Sequence, residues 1–94
     1  MELKARAALA TKAQAIEVEA QAFATECGES VLATSDGAKV KIKRGDNVLY
    51  VAVESDDRFA LKREQASVMS AGNFEAVSEE DMETAVVKFI AGKA

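Results

Sequence analysis

Lys39, Lys41 and Lys43 occupy alternate positions of the run Ala38–Arg44, with Val40 and Ile42 between them. In an extended strand alternate side chains share a face, so the three amines line up together, with Arg44 beside them. A row of ammonium groups is chemistry for holding anions, either phosphates or an acidic patch on a protein. The same lysines also serve to keep an exposed strand from pairing with other chains. Lys39, Lys41, Lys43 and Arg44 are therefore the candidate partner-binding residues. Nucleic-acid binders usually carry a basic domain with stacking aromatics, and Tyr50 is the only aromatic nearby. That ranks an acidic protein patch ahead of nucleic acid as the expected partner.

The remaining reactive groups offer less. The chain has no histidine, no tryptophan, no proline and a single cysteine, Cys27. Without an imidazole there is no Ser-His or Cys-His nucleophile pair and no His-based zinc site. Cys27 accordingly reads as a small residue at a helix end. Glu54, Asp56 and Asp57 crowd a turn, but their spacing lacks the later glycine and bidentate glutamate of a calcium loop. Glu79, Glu80, Asp81 and Glu83 read as the charged start of a helix. Arg44-Gly45-Asp46 spells an integrin tripeptide, yet Gly-Asp-Asn is simply good turn chemistry. No glycine-rich phosphate loop is present. The chain is read as non-enzymatic, with no cofactor and no metal site expected.

Charge is unevenly distributed. The net charge is −4, but residues 38–63 carry seven basic against four acidic side chains. A basic hairpin thus sits in an acidic protein. One cysteine cannot close an internal disulfide, no apolar run reaches membrane-spanning length, and charges interrupt the first 24 residues. A cytoplasmic protein is expected, within the host cell if it is phage-encoded, with no membrane partner. Small acidic chains of this kind are frequent among phage and mobile-element accessory proteins, inhibitors and virion components included. That is a matter of frequency, since no stretch carries a family signature.

The elements that must position these groups are legible in part. At 94 residues the chain is one domain, 1–94, able to bury a modest core. Residues 2–26 lack glycine and are rich in alanine, which predicts a long helix ending at Gly28. Residues 30–62 switch to period two. Asp36-Gly37 predicts a hairpin turn with both residues at positive φ, and Gly45-Asp46-Asn47 the next turn. Val48–Val53 is apolar on both faces and reads as the central strand. The span 57–71 reads either as a fourth strand or as a helix stopped by Gly72. Residues 79–91 form a second helix, with Ser78 as N-cap, acids in the first turn and Gly92 after the end. The expected fold is α+β: a long N-terminal helix, an antiparallel meander of three to four strands, and a C-terminal helix. Tyr50, Leu49, Val51, Val53, Val40, Ile42, Phe59, Phe89 and Val86 are its expected core.

The first helix carries one further pattern. Leu9, Ala13, Ile16, Ala20, Phe23 and Cys27 step by four and three, large alternating with small. Such a seam suits an antiparallel partner helix, and a homodimer is one outcome. Lys4, Arg6 and Lys12 precede Glu17, Glu19 and Glu26, an order that opposes the helix dipole and that an antiparallel copy would offset. The other outcome is that the seam packs on the chain's own sheet and its charges are solvated. The function expected from all this is a small module that binds a protein partner and self-associates through Leu9, Ala13, Ile16, Ala20 and Phe23. The alternative is nucleic-acid or polyanion binding through Lys39–Arg44, which a basic patch continuous with Arg58, Lys62 and Arg63 would favour.

Overall fold

The computed structural model describes residues 2–65 and 72–92. Helix α1 spans Leu3–Cys27 and is followed by strands β1 (Leu32–Asp36), β2 (Lys39–Arg44), β3 (Asn47–Val53), β4 (Arg58–Gln65) and β5 (Glu75–Ser78), then helix α2 (Glu79–Ala91). The strands form one antiparallel sheet in sequence order, with β3 at its centre. The fold is α+β as expected, with five strands rather than three or four.

Two-residue loops fix the register of the first two hairpins. Asp36 pairs with Lys39 and Arg44 with Asn47, so the loops are Gly37-Ala38 and Gly45-Asp46. Each opens on a glycine at positive φ, 59° for Gly37 and 61° for Gly45. Glycine in the first loop position supplies the primed-turn backbone that matches strand twist. The sequence expectation of Asp36-Gly37 as the loop is therefore shifted by one residue. Asp36 has no left-handed conformation to adopt and stays in β1.

The span read as strand or helix is β4 through Gln65; residues 66–71 lie outside the described residues. Leu49, Val51 and Val53 face Ile42, Val40, Leu61 and Phe59 across the ladder, and pairing Arg58–Gln65 with β3 completes that apolar face. Strand β5 gave no sequence signal. Glu-Ala-Val-Ser is short and mostly exposed, and it is held by backbone pairing with β4. Ser78 both ends β5 and caps α2, its hydroxyl accepting from the Asp81 N–H at 3.1 Å.

Both helices cover one face of the sheet. The core joins Ala13, Ile16, Ala20 and Ala24 of α1 and Met82, Val86 and Ile90 of α2 to Val40, Ile42, Leu49, Val51, Phe59 and Leu61. Antiparallel sheets commonly pack one face and leave the other to solvent. That division corrects one expected core residue: Tyr50 lies on the face away from the helices and is half-buried. Phe89 packs against the core while remaining partly exposed.

Gln21 ties α1 to the sheet edge. Its Nε2 donates to the Val31 carbonyl and its Oε1 accepts from the Ala33 N–H, both at 3.0 Å. An edge strand presents unpaired backbone groups, and this amide satisfies two of them. Gln21→Leu removes both partners at a part-buried site, where each orphaned group costs about 1–3 kcal/mol. A chemical denaturation midpoint well below wild type is expected, and no change would show that solvent satisfies these groups instead.

Candidate functional site

The face of the sheet away from the helices carries a cluster of basic side chains. Lys39, Lys41 and Lys43 alternate with the buried Val40 and Ile42, so all three point away from the helices and are exposed. The ladder sets Lys41 opposite Tyr50 and Tyr50 opposite Lys62. Extending the β4–β5 register by one residue sets Phe74 opposite Lys62. A single row across the sheet thus reads Lys41, Tyr50, Lys62, Phe74.

Neighbouring strands are about 4.8 Å apart, which brings amine and ring into contact. Lys62 Nζ lies 4.9 Å from the Tyr50 ring centroid and 5.1 Å from that of Phe74. Lys39 Nζ lies 5.6 Å from the Phe74 centroid. Ammonium groups at these distances are attracted by the negative ring face. Gly72 approaches β4 so closely that a Cβ there would meet the Arg63 carbonyl oxygen at 3.1 Å. The backbone before β5 thus runs close beside β4. In the adjacent row Lys39 is followed by Ala52, Ala60 and Ala76, and Ala60 is buried at 3% exposure, so small residues lie under this part of the face.

The carboxylates of this face are few. Asp36 is the cross-strand partner of Lys39, and Glu64 pairs with Lys62 at 3.0 Å. Arg58, two residues before Ala60, shares this face, and the exposed Glu54, in phase with Ala52, stands opposite it with its backbone N–H donating to the Arg58 carbonyl. An acidic protein therefore presents a cationic sheet surface with two aromatic rings set among its amines.

Arg44 and Arg63 do not belong to it. Arg44 is in phase with Val40 and Ile42, which turns it toward the helix side. There it sits 4.0 Å from a Glu29 carboxylate oxygen and against Gly92 at the C-terminus of α2, where the helix dipole favours a cation. Arg63 is in phase with Phe59 and Leu61 and borders the same groove as Lys88 and Phe89. Of the expected Lys39–Arg44 set, the three lysines stand together and the arginine is apart. Lys62, Tyr50 and Phe74 join the lysines. Only the strand period of β4 could have placed Lys62, and nothing in the sequence around Phe74 points there.

The α1 seam is occupied within the chain. Ala13, Ile16 and Ala20 are buried, and Leu9 and Phe23 pack against the same core. Cys27 is exposed at the helix end, and Ala24 takes the inward position instead. Lys12 spans α1, α2 and the β3–β4 turn: it pairs with Glu79 at 3.1 Å, donates to the Asp56 carbonyl and lies 5.4 Å from the Phe59 ring centroid. One cation of the reversed charge order is thus matched inside the monomer. Lys4 and Arg6 stay exposed on the two turns that extend past the packed part of α1.

A groove of about 470 Å³ runs between the helices, floored by Ile16, Ala20, Phe23, Met82 and Val86, with Glu19, Glu79 and Glu83 at its rim. Among the described residues, no three His, Cys, Asp or Glu side chains converge as a metal site requires, and no helix is long and apolar enough to cross a membrane. No family model, no curated protein sequence and no solved structure matches the chain.

Proposed function

We propose that this chain is a small non-enzymatic module that binds an anionic macromolecule on the open face of its sheet. The observation that carries this is the convergence of Lys39, Lys41, Lys43 and Lys62 on one face of a chain whose net charge is −4. Lysines that only guard against edge pairing would be expected on edge strands. Here β2 and β4 are interior to the sheet, each paired on both sides, so these lysines have no edge to protect. An acidic face of a protein and a nucleic-acid backbone would use the same amines.

Replacing Lys39, Lys41 and Lys43 together with Gln tests the reading. All three are exposed and none forms an ion pair among the described residues, so the thermal midpoint should stay within a few degrees of wild type. Anisotropy of labelled heparin, poly-glutamate and DNA at low ionic strength should show wild-type binding that weakens with added salt. The triple variant should lose it. Failure of all three probes to bind at ~10 µM, well inside the usual range of non-specific affinities, would refute the proposal.

A further inference from the structure

We infer that the anionic ligand is a single-stranded nucleic acid whose bases stack on Tyr50 and Phe74 while Lys39, Lys41, Lys43 and Lys62 hold its phosphates. This deepens the proposed function and rests on it. The inference comes from the rings. A ligand recognised by charge alone needs only the amines. The row Lys41, Tyr50, Lys62, Phe74 instead alternates charge with aromatic surface, the two groups a nucleotide presents in phosphate and base. Along β2 the three lysines repeat every second residue, about 7 Å apart, a spacing an extended strand of nucleic acid also reaches between successive phosphates. Single-strand binders combine such a basic track with aromatic platforms, and stacking is tolerant of sequence because every base has a π face.

A duplex fits this surface less well. Its base faces are stacked on one another and cannot reach Tyr50 or Phe74, and a broad sheet face is not the two-stranded ribbon that enters a major groove. An acidic peptide would satisfy the lysines and leave both rings idle. Tyr50 is half-buried and Phe74 is 37% exposed, so neither ring is shut into the core. The amines now beside the rings would turn outward to phosphate, exchanging intramolecular cation–π contacts, and for Lys62 its ion pair with Glu64, for charge-assisted bonds to the ligand.

Tyr50 also supplies the measurement. It is the chain's one tyrosine, and there is no tryptophan, so the emission excited near 280 nm comes from the proposed platform. Titration with oligothymidylate, corrected for absorbance against free N-acetyltyrosinamide, should quench that emission. A duplex of equal length and poly-glutamate should not. The log–log salt slope should be about −3, the value for four single-strand phosphate contacts. Tyr50→Leu and Phe74→Leu keep apolar bulk but remove the π face, and each should weaken oligothymidylate about tenfold while leaving heparin unchanged.

If oligothymidylate and heparin both bind, with Tyr50 emission unaltered and both leucine variants at wild-type affinity, base stacking is overturned and the anionic-partner reading stands. Binding of poly-glutamate in preference to oligothymidylate overturns the nucleic-acid assignment in the same way. If none of the probes binds, the underlying proposal fails as well. The quench is read in unmodified protein, so the inference does not depend on either variant folding.

Discussion

Val51→Asp is expected to abolish the cooperative thermal transition of this protein. Val51 lies in the middle of β3, fully buried, with Val40 on one side and Leu61 on the other. Both helices close over that face, so a carboxylate there meets only apolar side chains. Isolating a charge in such surroundings costs several kcal/mol, even after its pKa shifts to neutralise it. A single domain of this size has on the order of 5–10 kcal/mol to lose. The control is Lys41→Asp, on β2 and on the opposite, exposed face. It should melt cooperatively near the wild-type temperature. Circular dichroism followed through heating distinguishes the two, and a Val51→Asp protein that unfolds within a few degrees of wild type would show that the faces have been assigned the wrong way round.

That contrast between adjacent faces also marks how far the sequence could be read. The alternation Lys39-Val40-Lys41-Ile42-Lys43 is a strand with one apolar face, because no other regular structure separates those residue types so cleanly. The start of α2 was equally legible, since its cap, its acids and its apolar stripe are local and agree with one another. Val48–Val53 was harder. Its residues are apolar on both sides, so the pattern marks a central strand without saying which face the helices cover. The pattern alone therefore puts Tyr50 in the core. Its actual position follows from register with Val40 and Ile42, a long-range fact that becomes visible only once strands are paired.

The candidate site was legible to the same extent. Three lysines on one strand share a face by period alone, and that much held. Arg44 was grouped with them by proximity in sequence, but one residue along a strand is a change of face. Lys62 needed a strand assignment for 58–65 and its pairing with β3. Phe74 needed a fifth strand that is too short and too polar to announce itself. Gln21 reads as an ordinary helix former, and its part in satisfying the edge of β1 depends on where α1 crosses the sheet. Local period sets which residues of one strand share a face, whereas the neighbours of Lys62, Phe74 and Gln21 depend on which strands pair.

The seam along α1 gives the second large effect. Ala13→Leu combined with Ala20→Leu is expected to lower the thermal midpoint by more than 10 °C without changing the mass of the species in solution. Both alanines are buried where α1 meets the rest of the core, Ala13 at 0% and Ala20 at 3% exposure. Their small side chains set how closely the helix approaches. Added bulk in a filled interior forces side chains off their rotamers or moves the backbone, at about 1–3 kcal/mol for each site. In a domain of this size each kcal/mol is about 4–8 °C. The spacing Leu9, Ala13, Ile16, Ala20, Phe23 also suits an antiparallel helix from a second copy, and the substitutions separate that arrangement from the packing seen here. A seam between copies would make the double variant lose mass in sedimentation equilibrium while each monomer kept its stability. A seam within the monomer gives the reverse: a lower melting temperature, and a sedimentation profile that matches wild type across a hundredfold range of concentration. The structure commits Ala13, Ile16 and Ala20 to the chain's own core, and Lys12 to Glu79, so the second outcome is the one expected.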